Sequence, residues 1–248
     1  MNDFRFAGQG APPQIYVLDT KYGDVTGDGV IDTVFLVGEK PYGTESPFVD
    51  HITVFIQDGQ THLYYRVIPK EASGYNPTIF LGDFTGNHVD DILISTSSGG
   101  SGGYAFYDMY AFINHRPVLI FNHETFNEHY TYTVTYKDHF QVKVVGSDSK
   151  TYTIDITYKG EEYLAEIYEP DGRLKESIEG WVNPLGDLYP VDFQRDGVYG
   201  LYAARRIAGR YNADGLGYVQ MSLEWDGRQF MPFFQTVGIF GGDSSATP

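Results

Sequence analysis

Two short acidic segments with the same punctuation, GDVTGDGVID at 23–32 and GDFTGNHVDD at 82–91, each run straight into an apolar, β-branched stretch. A chain that enters strands through one recurring turn is committed to repeated β modules, because a self-similar unit of this size must stack to bury its core. A third segment, PVDFQRDGVYG at 190–200, aligns more faintly. Each is followed by a strand, a tight turn and a return strand, turning at Asp58-Gly59, near Asn114-His115 and at Asp226-Gly227. Asp-Gly between alternating apolar residues is a strong hairpin signal. The distance from loop to turn stays in step across the three units.

The intervening sequence has the period-two pattern of strands, as in ITVFIQ, TYTVTY and TYTIDITY, rich in β-branched and aromatic residues. Helical periodicity is almost absent, so the expected fold is all-β: repeated propeller-like antiparallel sheet modules plus a β-meander. The expected organisation is an N-terminal tail at 1–12, two calcium-loop repeats at 13–122, a meander insertion or degenerate repeat at 123–180, a third, degenerate repeat at 181–240 and a C-terminal tail at 241–248. Four strands are expected in the insertion, from YTYTVTYK, HFQVKVVG, TYTIDITYKG and EEYLAEIYEPDG.

The loops carry oxygen donors at alternating positions. With the leading Asp as position one, the first offers Asp24, Thr26, Asp28 and Asp32, with Val30 presenting its carbonyl. The second offers Asp83, Thr85, Asn87 and Asp91, with Val89 as the carbonyl donor. Calcium takes six to eight oxygens, and short Asp-rich loops supply them in this spacing. Gly29 and His88 stand at position six, where the chain turns sharply; both residue types tolerate positive φ, glycine more readily. The third loop has Gly200 where the last carboxylate would stand, so it is expected to persist as a turn. A helix-flanked calcium loop would end in Glu at position twelve; here that position is Phe35, inside a strand. The bland alternative is that Asp, Gly, Thr and Asn are simply turn residues.

The D-x-T-G-D-G-x-x-D pattern entering a strand resembles the calcium loops of FG-GAP/VCBS repeat proteins, relatives of the integrin alpha-subunit β-propeller. That resemblance implies blade-like sheets with calcium on one face and a scaffold used in adhesion or ligand binding.

The formal charge of −16, from 33 acidic and 17 basic residues, disfavours nucleic acid and anionic membranes as partners. No cysteine is present, which excludes disulfides and thiolate metal sites. No apolar stretch approaches the roughly 20 residues that span a bilayer, and MNDFRFAGQGAPPQ does not read as a secretory leader; a soluble chain is expected. Weak calcium loops suit an extracellular or cell-surface setting.

Catalytic signals are poor. GGSGG around Ser101 leads into a strand where a nucleophile elbow needs a helix. HETFNEH spaces His123 and His129 too far apart for the H-E-x-x-H face. Glu161, Glu162, Glu166 and Glu169 could supply a glycosidase pair, while Trp181 and Trp225 could stack on sugars. The functional expectation is a non-enzymatic calcium-binding β-scaffold for a protein or glycan partner. The alternatives are a polysaccharide-acting hydrolase or lyase with structural calcium, and a structural cell-surface or spore-layer protein.

Overall fold

A computed structural model describes residues 14–114 and 116–241. Most of both expected tails, and His115 at the second hairpin turn, lie outside the described residues. The fold is mostly antiparallel β, in two eight-stranded sheets.

The first unit is the meander β1 (Ile15–Gly23), β2 (Asp32–Glu39), β3 (Phe48–Gln57) and β4 (Tyr64–Val67). The second is β5 (Gly74–Gly82), β6 (Asp91–Ser97), β7 (Ala105–Ile113) and β8 (Arg116–Asn122). They join into one sheet because β3 splits its pairing: its start lies against β5 through Phe48–Tyr75, and its end lies against β4 through Val54–Val67. The sheet curls until β1 packs beside β5. Alternating residues Val34, Leu36, Ile52, Val54 and Ile56 fill the inside, each fully buried.

Next come α1 (His123–His129), β9 (Tyr132–Lys137), β10 (Gln141–Gly146), β11 (Thr151–Asp155) and α2 (Glu161–Ile167). Asn122 caps α1, its side-chain oxygen accepting from the Glu124 and Thr125 N–H groups, and Asp108 holds that cap by a 2.6 Å bond from Asn122 Nδ2. The expected fourth strand, EEYLAEIYEPDG, is corrected: it opens with α2. Tyr163, Leu164 and Ile167 pack inward at helical spacing, and Glu161 and Glu162 occupy the first turn, where the helix dipole favours negative charge.

The third unit comprises β13 (Asp187–Val191), β14 (Gly200–Ala208), β15 (Gly215–Trp225) and β16 (Phe230–Gly238). A short strand, β12 (Glu179–Val182), bridges β9 to β14, so insertion and third unit form the second sheet. Its core, around Tyr136, Leu201, Met221 and Leu223, is continuous with Phe84, Leu93 and Met109 of the second unit.

Candidate functional site

The three strand-entry loops adopt one conformation. Positions four and six are left-handed in each: Gly27 and Gly29, Gly86 and His88, Arg195 and Gly197. The position-one carboxylate organises the turn. Asp24 accepts from the Gly27 and Gly29 N–H groups at 2.7 and 2.8 Å. Asp83 accepts from Gly86, Asn87 and His88, and Asp192 from Asp196 and Gly197. At position five, Asp28, Asn87 and Asp196 each accept from the valine N–H two residues on, that of Val30, Val89 and Val198.

Position nine separates the loops. Asp32 is wholly buried; Oδ2 accepts from the Val25 and Thr26 N–H groups, and Oδ1 from the Gly59 N–H at 2.8 Å, with Thr26 Oγ1 at 3.5 Å. Its lone-pair directions are thus filled by donors. Asp91 repeats half of this: Oδ2 accepts from the Phe84 and Thr85 N–H groups, but Oδ1 and Thr85 Oγ1, both buried, close no hydrogen bond of ordinary length, so the Thr85 hydroxyl eases the charge of Asp91 less than either N–H group does. Among the described residues, no hairpin-turn N–H takes the place at Asp91 that the Gly59 N–H takes at Asp32. Burial, with the charge of Asp83 adding to it, pushes the Asp91 carboxyl up to about 7. Asp90 is also raised, by burial and then by the charges of Asp24 and Asp83.

These placements correct the metal-binding character expected of the loops. Asp24, Asp28 and Asp32 face three different sets of backbone donors, Val30 is exposed, and among the described residues no group of three or more His, Cys, Asp or Glu is placed to hold a metal ion. HETFNEH makes no such group either: His123 is buried against Phe106, while His129 is exposed.

The loops also stack, by a rule repeated at both junctions. The position-eight N–H of one loop donates to the position-one carbonyl of the loop before it: Asp90 to Asp24 at 2.9 Å, and Tyr199 to Asp83 at 2.7 Å. The residue before position one is glycine in the first two loops because the next loop lies over it. A Cβ on Gly23 would sit 2.2 Å from Asp90 Oδ2, and one on Gly82 would sit 2.9 Å from the Tyr199 ring. The third loop has Val191 there, and Arg195 where the others have Gly27 and Gly86. Side chains at both positions suit the terminal unit of a stack, and among the described residues the stack ends at three. This contact joins segments far apart in the chain and leaves no local pattern beyond the exchange of glycine for Val191.

At the second junction the stack opens into a cavity of about 260 Å³. Phe193, Tyr199 and Trp225 supply aromatic surface; Gln194, Asp196 and Glu224 supply amide and carboxylate groups. Gln194 Nε2 donates to Glu224 Oε1 at 3.2 Å, and Phe193 packs edge-on against the exposed Phe233. Of these residues Trp225 is the one expected from sequence to stack on sugars.

Residues 130–238 match the YybI C-terminal domain family. An uncharacterized protein, YybI, from Bacillus subtilis (strain 168) is 51% identical over 224 residues, covering 90% of this chain and 85% of that relative. No solved structure matches. The resemblance to FG-GAP/VCBS repeats is therefore corrected: both matches lie elsewhere, and the recurring Asp-Thr-Gly pattern reflects a shared way of turning into a strand. The chain belongs to the YybI family.

Proposed function

We propose that the chain is a non-enzymatic β-scaffold that binds a glycan in the cleft between its second and third entry loops. The observation that carries the reading is the composition of that cleft, with aromatic faces beside paired amide and carboxylate groups. Sugars present apolar C–H faces and a ring of hydroxyls, so they bind by stacking on aromatic rings with hydrogen bonds from planar polar groups. A volume of about 260 Å³ lies just below the roughly 300–1,000 Å³ of small-molecule sites, which suits one ring of a longer chain. The cleft rests on two loops whose turns are locked by buried or half-buried carboxylates, so little ordering entropy is lost on binding.

The test is an array of neutral and acidic oligosaccharides, followed by calorimetry on the best binder. Glu224→Gln and Gln194→Ala are each expected to weaken binding about tenfold, equivalent to 1.4 kcal/mol. Absence of binding across the array, or affinity untouched by both substitutions, overturns the reading. Release of reducing ends in the same incubations would make the chain a hydrolase.

A further inference from the structure

The second sheet carries a groove on a face that the loop stack does not use. It runs along α2, with a cavity of about 720 Å³ on one side, floored by Phe140, Leu164 and Tyr168 and rimmed by Glu161 and Glu169. On the other side of Lys175 a cavity of about 440 Å³ continues it, bordered by Glu166, Glu176 and Glu179.

The charge along this groove is one-sided. Between 161 and 179 stand seven acidic residues and two basic ones. Arg173 pairs with Asp171 at 2.7 Å, and Lys175 Nζ donates to the Ala165 carbonyl at 2.6 Å. Glu166 is paired with Arg210 from outside the segment, at 2.6 Å. Glu161, Glu162, Glu169, Glu176 and Glu179 are left with no cationic partner among the described residues. A surface of this sign repels nucleic acid and anionic lipid, and draws in a cationic partner.

The groove is also held in shape. Asp214, almost wholly buried in the β14–β15 turn, accepts from Tyr163 Oη and from Lys159 Nζ, both at 2.7 Å. Tyr163 in turn lies 2.8 Å from Tyr136 Oη on β9. Hydrogen bonds and an ion pair therefore pin α2 to the sheet, and an occupant meets a preformed surface.

We propose that this groove docks a basic, amphipathic segment of a protein partner, with apolar side chains on the Phe140–Leu164–Tyr168 floor and lysines or arginines along the glutamate rim. It is the helix-in-groove mode of recognition, with charge choosing the partner.

The test uses the full chain and two synthetic labelled peptides with leucine at helical spacing, one otherwise of lysine and one otherwise of glutamate, followed by fluorescence anisotropy. The lysine peptide binds and the glutamate peptide does not. Raising salt from about 50 to 500 mM weakens binding about tenfold or more. The triple substitution Glu161→Gln, Glu169→Gln, Glu176→Gln lowers affinity by a similar factor while exposing no apolar surface. Ala165→Trp, which fills the groove from an exposed helix position, lowers it with the charges intact. Circular dichroism confirms that both variants fold. No binding of the lysine peptide, or equal binding by wild type and both variants, overturns the proposal.

Discussion

The first and second entry loops have the same turn, the same left-handed positions and the same carboxylate at position nine, yet they leave that carboxylate in different states. Around Asp32 a hairpin tip contributed from 27 residues away, that of Gly59, supplies the last donor. Around Asp91 no such donor is found among the described residues, and one oxygen is buried without a partner. A local motif thus specifies the turn, while a donor brought from a distant segment decides whether the buried charge is satisfied. An unsatisfied buried acceptor costs roughly 1–3 kcal/mol, so the second loop is held together at a cost that the first does not bear.

The contrast can be broken most forcefully at Asp32. Asp32→Ala strands three N–H donors, the buried one of Val25 and the half-buried ones of Thr26 and Gly59, and is expected to lower unfolding free energy by about 4 kcal/mol in urea titrations.

Acid sharpens it from the other side. The Asp91 carboxyl titrates near 7 in the folded chain against its ordinary 3.8. The folded state therefore holds the proton more tightly, and stability falls as pH rises from about 4 to about 7, then levels. The loss across that window is about 4 kcal/mol, at about 1.4 kcal/mol per pH unit, and Asp91→Asn removes most of this slope, leaving the part due to Asp90, whereas Asp32→Asn retains it. Unfolding free energies between pH 4.5 and 8 measure it.

A smaller effect tests the stacking that relates the two loops. Gly82→Ala places a methyl group against the Tyr199 and Phe80 rings and is expected to cost about 2 kcal/mol. Val191→Ala, at the end of the stack, costs under about 1 kcal/mol by comparison.

Much of this architecture was legible in the sequence. Alternation marks the strands, the turn signals at Asp58-Gly59 and Asp226-Gly227 mark hairpins, and Gly29 and His88 take the positive φ that their position demands. Where local pattern and tertiary context part, the sequence is silent. The alternation-rich insertion hid α2, whose inward face becomes apparent only when Tyr163 meets Asp214, 51 residues away. The spacing of Asp24, Asp28 and Asp32 is equally good for a metal loop and for a carboxylate-braced turn, since both need acceptors at alternate positions. The Gly59 N–H that completes the brace around Asp32 comes from a distant turn, which no local pattern supplies. The cleft was hidden for the same reason: Gln194 and Glu224 are 30 residues apart and meet only when β15 folds back beside the third loop.

The most direct test compares Asp32→Asn with Asp91→Asn by urea unfolding at pH 8. In the first loop the new amide points a donor at the Gly59 N–H, a donor-against-donor contact expected to cost about 2–3 kcal/mol. In the second, the amide meets the unpartnered Thr85 hydroxyl and removes a buried charge, so stability is unchanged or rises by about 1 kcal/mol. Equal losses at both positions would contradict the account, since they would mean that the two carboxylates hold the same thing.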